Sequence, residues 1–515
     1  MSGCVPENIR ELLEAQVERA PDKEFLLESD GRVFTYRGFD DEVNRAAASL
    51  LSVGVSKGDR VSLLLTNRAE YLIFYFACFK IGAWAGPVNA LLKPQEIEFI
   101  IANSEAETVV TQPDLLPHLE EAREHLSSLQ NVIVVEETGQ WSVVSGQPEE
   151  FSAAAEHKQL TTDHWPLAAD DEAVIIYTSG TTGKPKGVLL THGNLLSNAR
   201  QIAEWLHLTP DDRALMIMPL FHVNALMTTA MAALWVGGSI VLAPRFSASR
   251  HWETISRFGV TYFGSVATML SMLNHSYPKG VPSGLDVGRF RFALCGSAPV
   301  PAEVLKTFES LFNCPVIEGY GLSESTCRST FNQIDERRRV GSVGLPIGNE
   351  MRVFDDDDHE VGPRQVGEIV LRGSNIMKGY YKNEAATGEA FRSGWFHTGD
   401  LGYQDEDGFF YVVDRKSDMI IRGGENIYPR EIDEVLYGHP QVKDVATVGV
   451  PDELYGEEVK SFIVLRDGER ATEQQIIEFC NKRLADFKCP KSIEFVEDIP
   501  KGPTGKLLKR ELGRC

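Results

Sequence analysis

Residues 177–188 read Tyr177-Thr178-Ser179-Gly180-Thr181-Thr182-Gly183-Lys184-Pro185-Lys186-Gly187-Val188, directly after the apolar run Ala173-Val174-Ile175-Ile176. Three glycines, a row of hydroxyls and two lysines follow what reads as a strand. Glycine lets the backbone turn its N–H groups inward, hydroxyls add donors and lysines add positive charge, so the stretch is equipped to hold a polyphosphate. It is not a loop of the Walker A type, which sets four residues between its first glycine and a Gly-Lys pair followed by Ser or Thr. Here only two residues stand between Gly180 and Gly183, and Pro185 follows Lys184. A plain polar turn is the bland alternative, and the length and order of the string speak against it.

Outward from this loop, apolar runs and helical stretches alternate over 61–65, 71–81, 108–111, 132–135, 173–177, 214–218, 239–242, 262–265, 292–295 and 316–318. That alternation predicts an α/β chain with mostly parallel sheets covered by helices. Ile9, Leu12, Leu13 and Val17 form a helical stripe near the start, and a second helix is expected over 39–53. Between 340 and 413 the spacing shortens to strands and turns, a β-rich subdomain with a solvated hairpin tip at 355–358. The last hundred residues read as a small α+β unit, entered through Asp414-Arg415-Lys416-Ser417-Asp418.

The totals narrow the classes. A length of 515 residues suggests about two to four folding units. The net charge of −23 disfavours nucleic acid and anionic membranes as partners, although a local basic loop can still take an acidic ligand. Eight scattered cysteines with no CxxC pair indicate reduced thiols rather than a zinc site or a disulfide framework. The segment 225–244 carries no charge and is long enough to span a bilayer, but Gly237-Gly238 interrupts it, so a buried helix–turn–strand is expected. The first seven residues have neither a basic nor an apolar signal region, which leads to the expectation of a cytoplasmic protein without an integral membrane segment.

Five strings, in order along the chain, resemble the signature segments of the adenylate-forming (ANL) superfamily: acyl-CoA synthetases, luciferases and peptide-synthetase adenylation domains. The opening loop resembles its phosphate loop, which implies Thr178, Ser179, Gly180, Thr181, Thr182 and Lys186 as ATP contacts. Pro219-Leu220-Phe221-His222-Val223-Asn224 resembles the segment lining the acyl pocket. Amino-acid-activating relatives carry Asp where this chain has His222, so no fixed negative charge awaits an ammonium group there. Gly319-Tyr320-Gly321-Leu322-Ser323-Glu324 resembles the Tyr-Gly-x-Thr-Glu motif, which implies Tyr320 against adenine, Ser323 at the α-phosphate and Glu324 on Mg²⁺. Just upstream, Gly296-Ser297-Ala298-Pro299 resembles the adenine-contacting turn. Trp395-Phe396-His397-Thr398-Gly399-Asp400 resembles the ribose-binding motif, with Asp400 accepting from both ribose hydroxyls and Arg415 as its partner. Pro500-Lys501-Gly502-Pro503-Thr504-Gly505-Lys506 resembles the C-terminal catalytic loop, implying that Lys506 bridges the substrate carboxylate and the α-phosphate.

The resemblance implies a large N-terminal adenylation domain over 1–415, built on two sheets, and a small mobile lid domain over 416–515, hinged at Ser417. It implies ATP, CoA and Mg²⁺ as cofactors and substrates, and a two-step reaction through an acyl-adenylate. Arg422-Gly423-Gly424-Glu425-Asn426-Ile427-Tyr428-Pro429 resembles the loop lining the CoA channel. Arg245 stands where some relatives hold the nucleotide end of CoA, and a plain surface arginine is an equal reading. Acetate-specific relatives carry Trp where this chain has Gly321, so the expected acid is longer than acetate: medium-chain, long-chain or decorated. The fatty-acyl and carnitine/crotonobetaine ligase branches look most similar. Arg328 either meets a polar substrate tail or is a salt-bridged structural arginine. A monomer or homodimer is expected. The competing readings are a stand-alone enzyme loading a carrier protein, or a nucleotide-binding sensor without turnover.

Overall fold

The computed structural model describes residues 5–29, 31–145, 166–178, 185–296, 300–501 and 508–512. Two large sheets form the N-terminal part. The first runs, in spatial order, Val316–Glu318, Phe292–Cys295, Tyr262–Ser265, Arg213–Met216, Ser239–Leu242, Glu24–Glu28 and Val33–Thr35, parallel except for the last pair. The second contains Trp84–Pro87, Arg60–Leu63, Thr108–Thr111 and Asn131–Val135 as a parallel centre, with antiparallel edges. These strands are continuous apolar runs because helices cover both of their faces.

The helix Ala69–Ile81 shows how the layers join. All thirteen of its residues are buried, as expected of a helix that is hydrophobic all round. Phe76 meets Phe39 of the helix Tyr36–Ser52, Phe74 meets Trp141, and Phe79 meets His192. The first helix, Ile9–Arg19, starts where Asn8 accepts from the Glu11 N–H, and its buried face is the Ile9, Leu12, Leu13 stripe. The uncharged segment 225–244 is interior structure. A π-helical stretch Ala225–Met231 continues as the α-helix Ala232–Val236, Gly237 turns with φ 76°, and Ser239–Leu242 joins the first sheet. Among the described residues no helix is long and apolar enough to cross a membrane.

The shorter spacing after 340 produces an antiparallel sheet of Glu350–Phe354, Gly367–Arg372, Phe391–Arg392, Trp395–Gln404 and Phe410–Arg415. A separate C-terminal domain follows, with strands Val442–Asp452 and Gly456–Leu465 at its centre and helices Pro429–Tyr437 and Glu473–Asn481 packed through Ile432, Leu436, Ile476 and Cys480. The two parts touch where Asp414 accepts from the Arg430 N–H at 2.9 Å and the Arg430 guanidinium donates to the Val412 carbonyl at 2.6 Å. Pro429 has no N–H and Tyr428 offers no side-chain cap, so the Asp414 carboxylate caps this helix from the other domain.

Candidate active site

Four neighbouring parallel strands end on one edge of the first sheet, and the segments leaving three of them are motif segments: Gly319 after Val316–Glu318, Gly296 after Phe292–Cys295, and 219–224 after Arg213–Met216. The carboxyl edge of an open parallel sheet is where such folds bind ligands. The opening loop arrives from the other sheet. It joins two antiparallel strands, Glu172–Thr178 and Lys186–Thr191, with Thr178 paired to Lys186. Ser179, Gly180, Thr181 and Thr182 lie outside the described residues, as do Ser297, Ala298 and Lys506. The flanks of the lysine loop are within the C-terminal domain, where Lys501 pairs with Asp444 and the Leu508 N–H donates to the Pro500 carbonyl at 2.9 Å.

At the nucleotide end, Asp400 and Arg415 are cross-strand partners in the antiparallel sheet, and Arg415 Nε lies 2.9 Å from Asp400 Oδ1. Tyr320 Oη donates to Asp400 Oδ2 at 2.6 Å. Residues 80 positions apart are thus brought together. Thr398 fixes the aspartate from below: its hydroxyl accepts from the Asp400 N–H at 3.0 Å and donates to the Ile369 carbonyl at 2.7 Å. Asp400 holds the Arg415 guanidinium in its charged form, and burial followed by the Asp400 charge pushes the Tyr320 phenol well up, so it stays a donor.

Glu324 sits beside this group. Tyr380 Oη donates to its Oε1 at 3.1 Å, and the Met377 N–H donates to its carbonyl at 2.7 Å. Lys186 Nζ lies over the Tyr380 ring, 5.0 Å from its centre, so the phosphate-loop flank and the acid share one tyrosine. Burial raises the Glu324 carboxyl, with the Tyr380 hydrogen bond opposing it. A carboxylate with acceptor capacity to spare, next to a loop built for phosphates, fits a Mg²⁺ shared with those phosphates, because magnesium is commonly held by one or two carboxylates. Tyr380 and Thr398 were not singled out in the sequence; only their place on the strands opposite Lys186 and Ile369 reveals them.

At the other end, His222 is held neutral: burial, then the nearby Arg328 charge, lowers it to about 4. Its Nδ1 accepts from the Asn224 N–H at 3.1 Å, which leaves the proton on Nε2. The expectation that Gly321 leaves open space meets a different geometry. A Cβ there would lie 2.0 Å from the Cys327 carbonyl oxygen and 2.8 Å from Arg328 Cα. Gly321 therefore makes room for the chain's own backbone, and the wall behind it is the segment carrying Arg328. Arg328 itself is 1% exposed, and no salt bridge is found for it among the described residues. Of the remaining expected contacts, Gly423 and Gly424 form the turn between Ile420–Arg422 and Glu425–Ile427, both with positive φ. Arg245 is exposed on the segment after Ser239–Leu242.

Residues 13–381 match the AMP-binding enzyme family, and residues 431–506 match the AMP-binding enzyme C-terminal domain. The chain belongs to this family. A sulfoacetate–CoA ligase of Cupriavidus necator is 37% identical over 97% of this chain and 96% of its own length. A long-chain-fatty-acid–CoA ligase of Mycobacterium tuberculosis is 36% identical over 93% and 92%. The ATP-bound crystal structure of MatB from Rhodopseudomonas palustris superposes with a TM-score of 0.90 at 29% identity, covering 98% of each chain. The chain is therefore an AMP-forming acyl-CoA synthetase of the adenylate-forming superfamily, with ATP and CoA as substrates. The synthetase converts an acid to its adenylate and then to a thioester, and the loading and sensor alternatives give way to this reading.

Proposed function

We propose that this synthetase activates a carboxylic acid longer than acetate, and that the residues brought together at the sheet edge carry the first step. The juxtaposition of Tyr320, Asp400 and Arg415 beside Glu324 supports the reading, because it pairs a ribose-accepting carboxylate with an acid suited to a phosphate-bound cation. Thr178, Lys186 and the loop between them would hold the outer phosphates, Gly296 to Ala298 and Gly319 to Gly321 the adenine, and Ser323 the α-phosphate. Glu324 would hold Mg²⁺, which supplies neutralising charge among the phosphates when bound.

The substrate carboxylate attacks the α-phosphorus of ATP, the bond to the β-phosphate oxygen breaks, and pyrophosphate leaves. Lys506 would offset the charge developing on the α-phosphoryl oxygens. The thiolate of CoA then attacks the acyl carbon and AMP leaves with the bonding electrons. Between the steps the lid, 416–515, would turn about Ser417 relative to the adenylation domain, 1–415, and the Gly423-Gly424 turn would approach the thiol, with Arg245 near the CoA nucleotide. Free CoA as acceptor, a cytoplasmic place of action and a monomer or homodimer complete the proposal.

Pyrophosphate release over a panel of acids, with and without CoA, tests it. Lys506→Ala should lower the adenylation rate about 10²–10³-fold while a supplied acyl-adenylate still reacts with CoA. Equal loss in both half-reactions would sink the role given to Lys506.

A further inference from the structure

Arg328 is the most deeply buried cation of the molecule's working edge, and its charge is unanswered. One edge of the guanidinium is used: Nη1 donates to the Gly319 carbonyl at 2.9 Å. Nε and Nη2 are buried without any hydrogen-bond partner among the described residues. Those two nitrogens carry the parallel N–H pair that grips a carboxylate side-on. The same molecule has such a fork occupied elsewhere: Arg372 Nε and Nη2 reach the two oxygens of Glu350 at 2.9 and 2.7 Å on the exposed face of the antiparallel sheet. The exposed pair contributes little, whereas a desolvated guanidinium with an empty fork is costly until an anion fills it.

The surroundings hold Arg328 in place rather than neutralise it. Asn198 bonds both its N–H and its carbonyl, at 3.1 and 2.7 Å, and Asn375 adds a third bond at 3.3 Å. Gly296 is shaped around it, since a Cβ there would stand 2.3 Å from Nη1. The ring of Phe331 lies 5.4 Å from the guanidinium carbon. Gly296, Gly319 and Gly321, whose motifs form the ligand edge, are thus the residues against which the arginine is fitted. His222, on the acyl segment, has its Nδ1 occupied by the Asn224 N–H and so presents an Nε2–H donor rather than an acceptor.

We propose that Arg328 is the specificity-determining residue of the acyl pocket and that the substrate is a short acid bearing a second oxyanion, a carboxylate or sulfonate, which docks on its free Nε/Nη2 fork. The inference rests on the ligase reading above. A second anion in the pocket turns an unpaired buried cation into a charge-assisted bidentate pair.

The test uses full-length synthetase with ATP, Mg²⁺ and CoA, and length-matched pairs of acids: propanoate with malonate, butanoate with succinate, and sulfoacetate. AMP formation is measured as kcat/KM. The wild-type enzyme should favour the dianionic member of each pair. Arg328→Met should shift the dianion-to-monoanion ratio by about 100-fold toward the monoanion, a charged, buried hydrogen-bonded pair being lost. Arg328→Lys, which keeps the charge without the fork, should fall between. A wild-type preference for the uncharged tail overturns the proposal whatever the variants do. So does an equal loss on both members in Arg328→Met, which marks a purely structural arginine. No turnover of any of these five acids overturns this inference while leaving the ligase reading standing, which is judged by pyrophosphate release over the wider panel of acids.

Discussion

The two ends of the site are built on opposite electrostatic plans. At the nucleotide end the described charges have side-chain partners: Arg415 pairs with Asp400, which also accepts from Tyr320, Glu324 accepts from Tyr380, and Lys186 lies over the Tyr380 ring. At the acyl end a buried guanidinium has a fork without a hydrogen-bond partner among the described residues, and His222, which feels its charge, is neutral. A ligand common to the whole family can be met by a preassembled set of side chains, at little reorganisation cost. A ligand peculiar to one member is met where pairing is incomplete without it. Specificity is therefore to be sought where the protein alone is electrostatically unfinished.

That contrast can be broken in three ways. Glu324→Ala removes the carboxylate suited to Mg²⁺ and should cost about 10³-fold in kcat, with the Mg²⁺ dependence of pyrophosphate release moving to higher concentration; unchanged Mg²⁺ dependence would remove Glu324 from the metal. Asp400→Ala strands Arg415 and Tyr320 together and should raise KM for ATP about 30-fold. The ratio between acids should not move, and a changed acid preference would mean that the two ends are not independent. The smallest effect concerns Glu318, one residue before the glycine that anchors Arg328. Burial raises its carboxyl to about 7, with the Gly341 N–H opposing at 3.2 Å. The unfolded chain loses that proton near the ordinary value of 4.5, so the folded state pays a growing penalty as pH rises from about 4.5 through 7. Glu318→Gln should therefore raise the melting temperature by about 2 °C at pH 8 and by less at pH 5, read by a thermal melt in both buffers. His192 and His222, lowered to about 4, and His251, lowered to about 3, do not blur the pH 8 reading, because they are neutral there in both states.

Much of this was legible in the residues. Alternating apolar runs announce parallel sheets, and Tyr262–Ser265, Phe292–Cys295 and Val316–Glu318 fall where the runs stand. Asp400 and Arg415 could be named from their motifs, although only the hairpin register makes them neighbours. What stayed hidden depends on distance in space. Gly321 reads as missing bulk in a sequence, yet its empty position is filled by the Cys327 carbonyl six residues later, because Thr326 takes a positive φ of 66° and folds the chain back. Arg328 reads as a tail-binding or a salt-bridged arginine, and that its Nε and Nη2 lack partners among the described residues cannot be inferred from neighbours in the chain. Tyr380 lies far from both residues it links, Lys186 and Glu324.

The cap that Asp414 places on the helix Pro429–Tyr437 bears on timing. Losing a side-chain cap destabilises a helix by about 1 kcal/mol, roughly a fivefold change in a population. A lid that turned about 415–417 would part Arg430 from Asp414 and Val412, leaving the first turn of its own leading helix uncapped. For such a lid the junction would act as a detent, a shallow notch favouring the orientation in which Asp414 and Val412 hold Arg430.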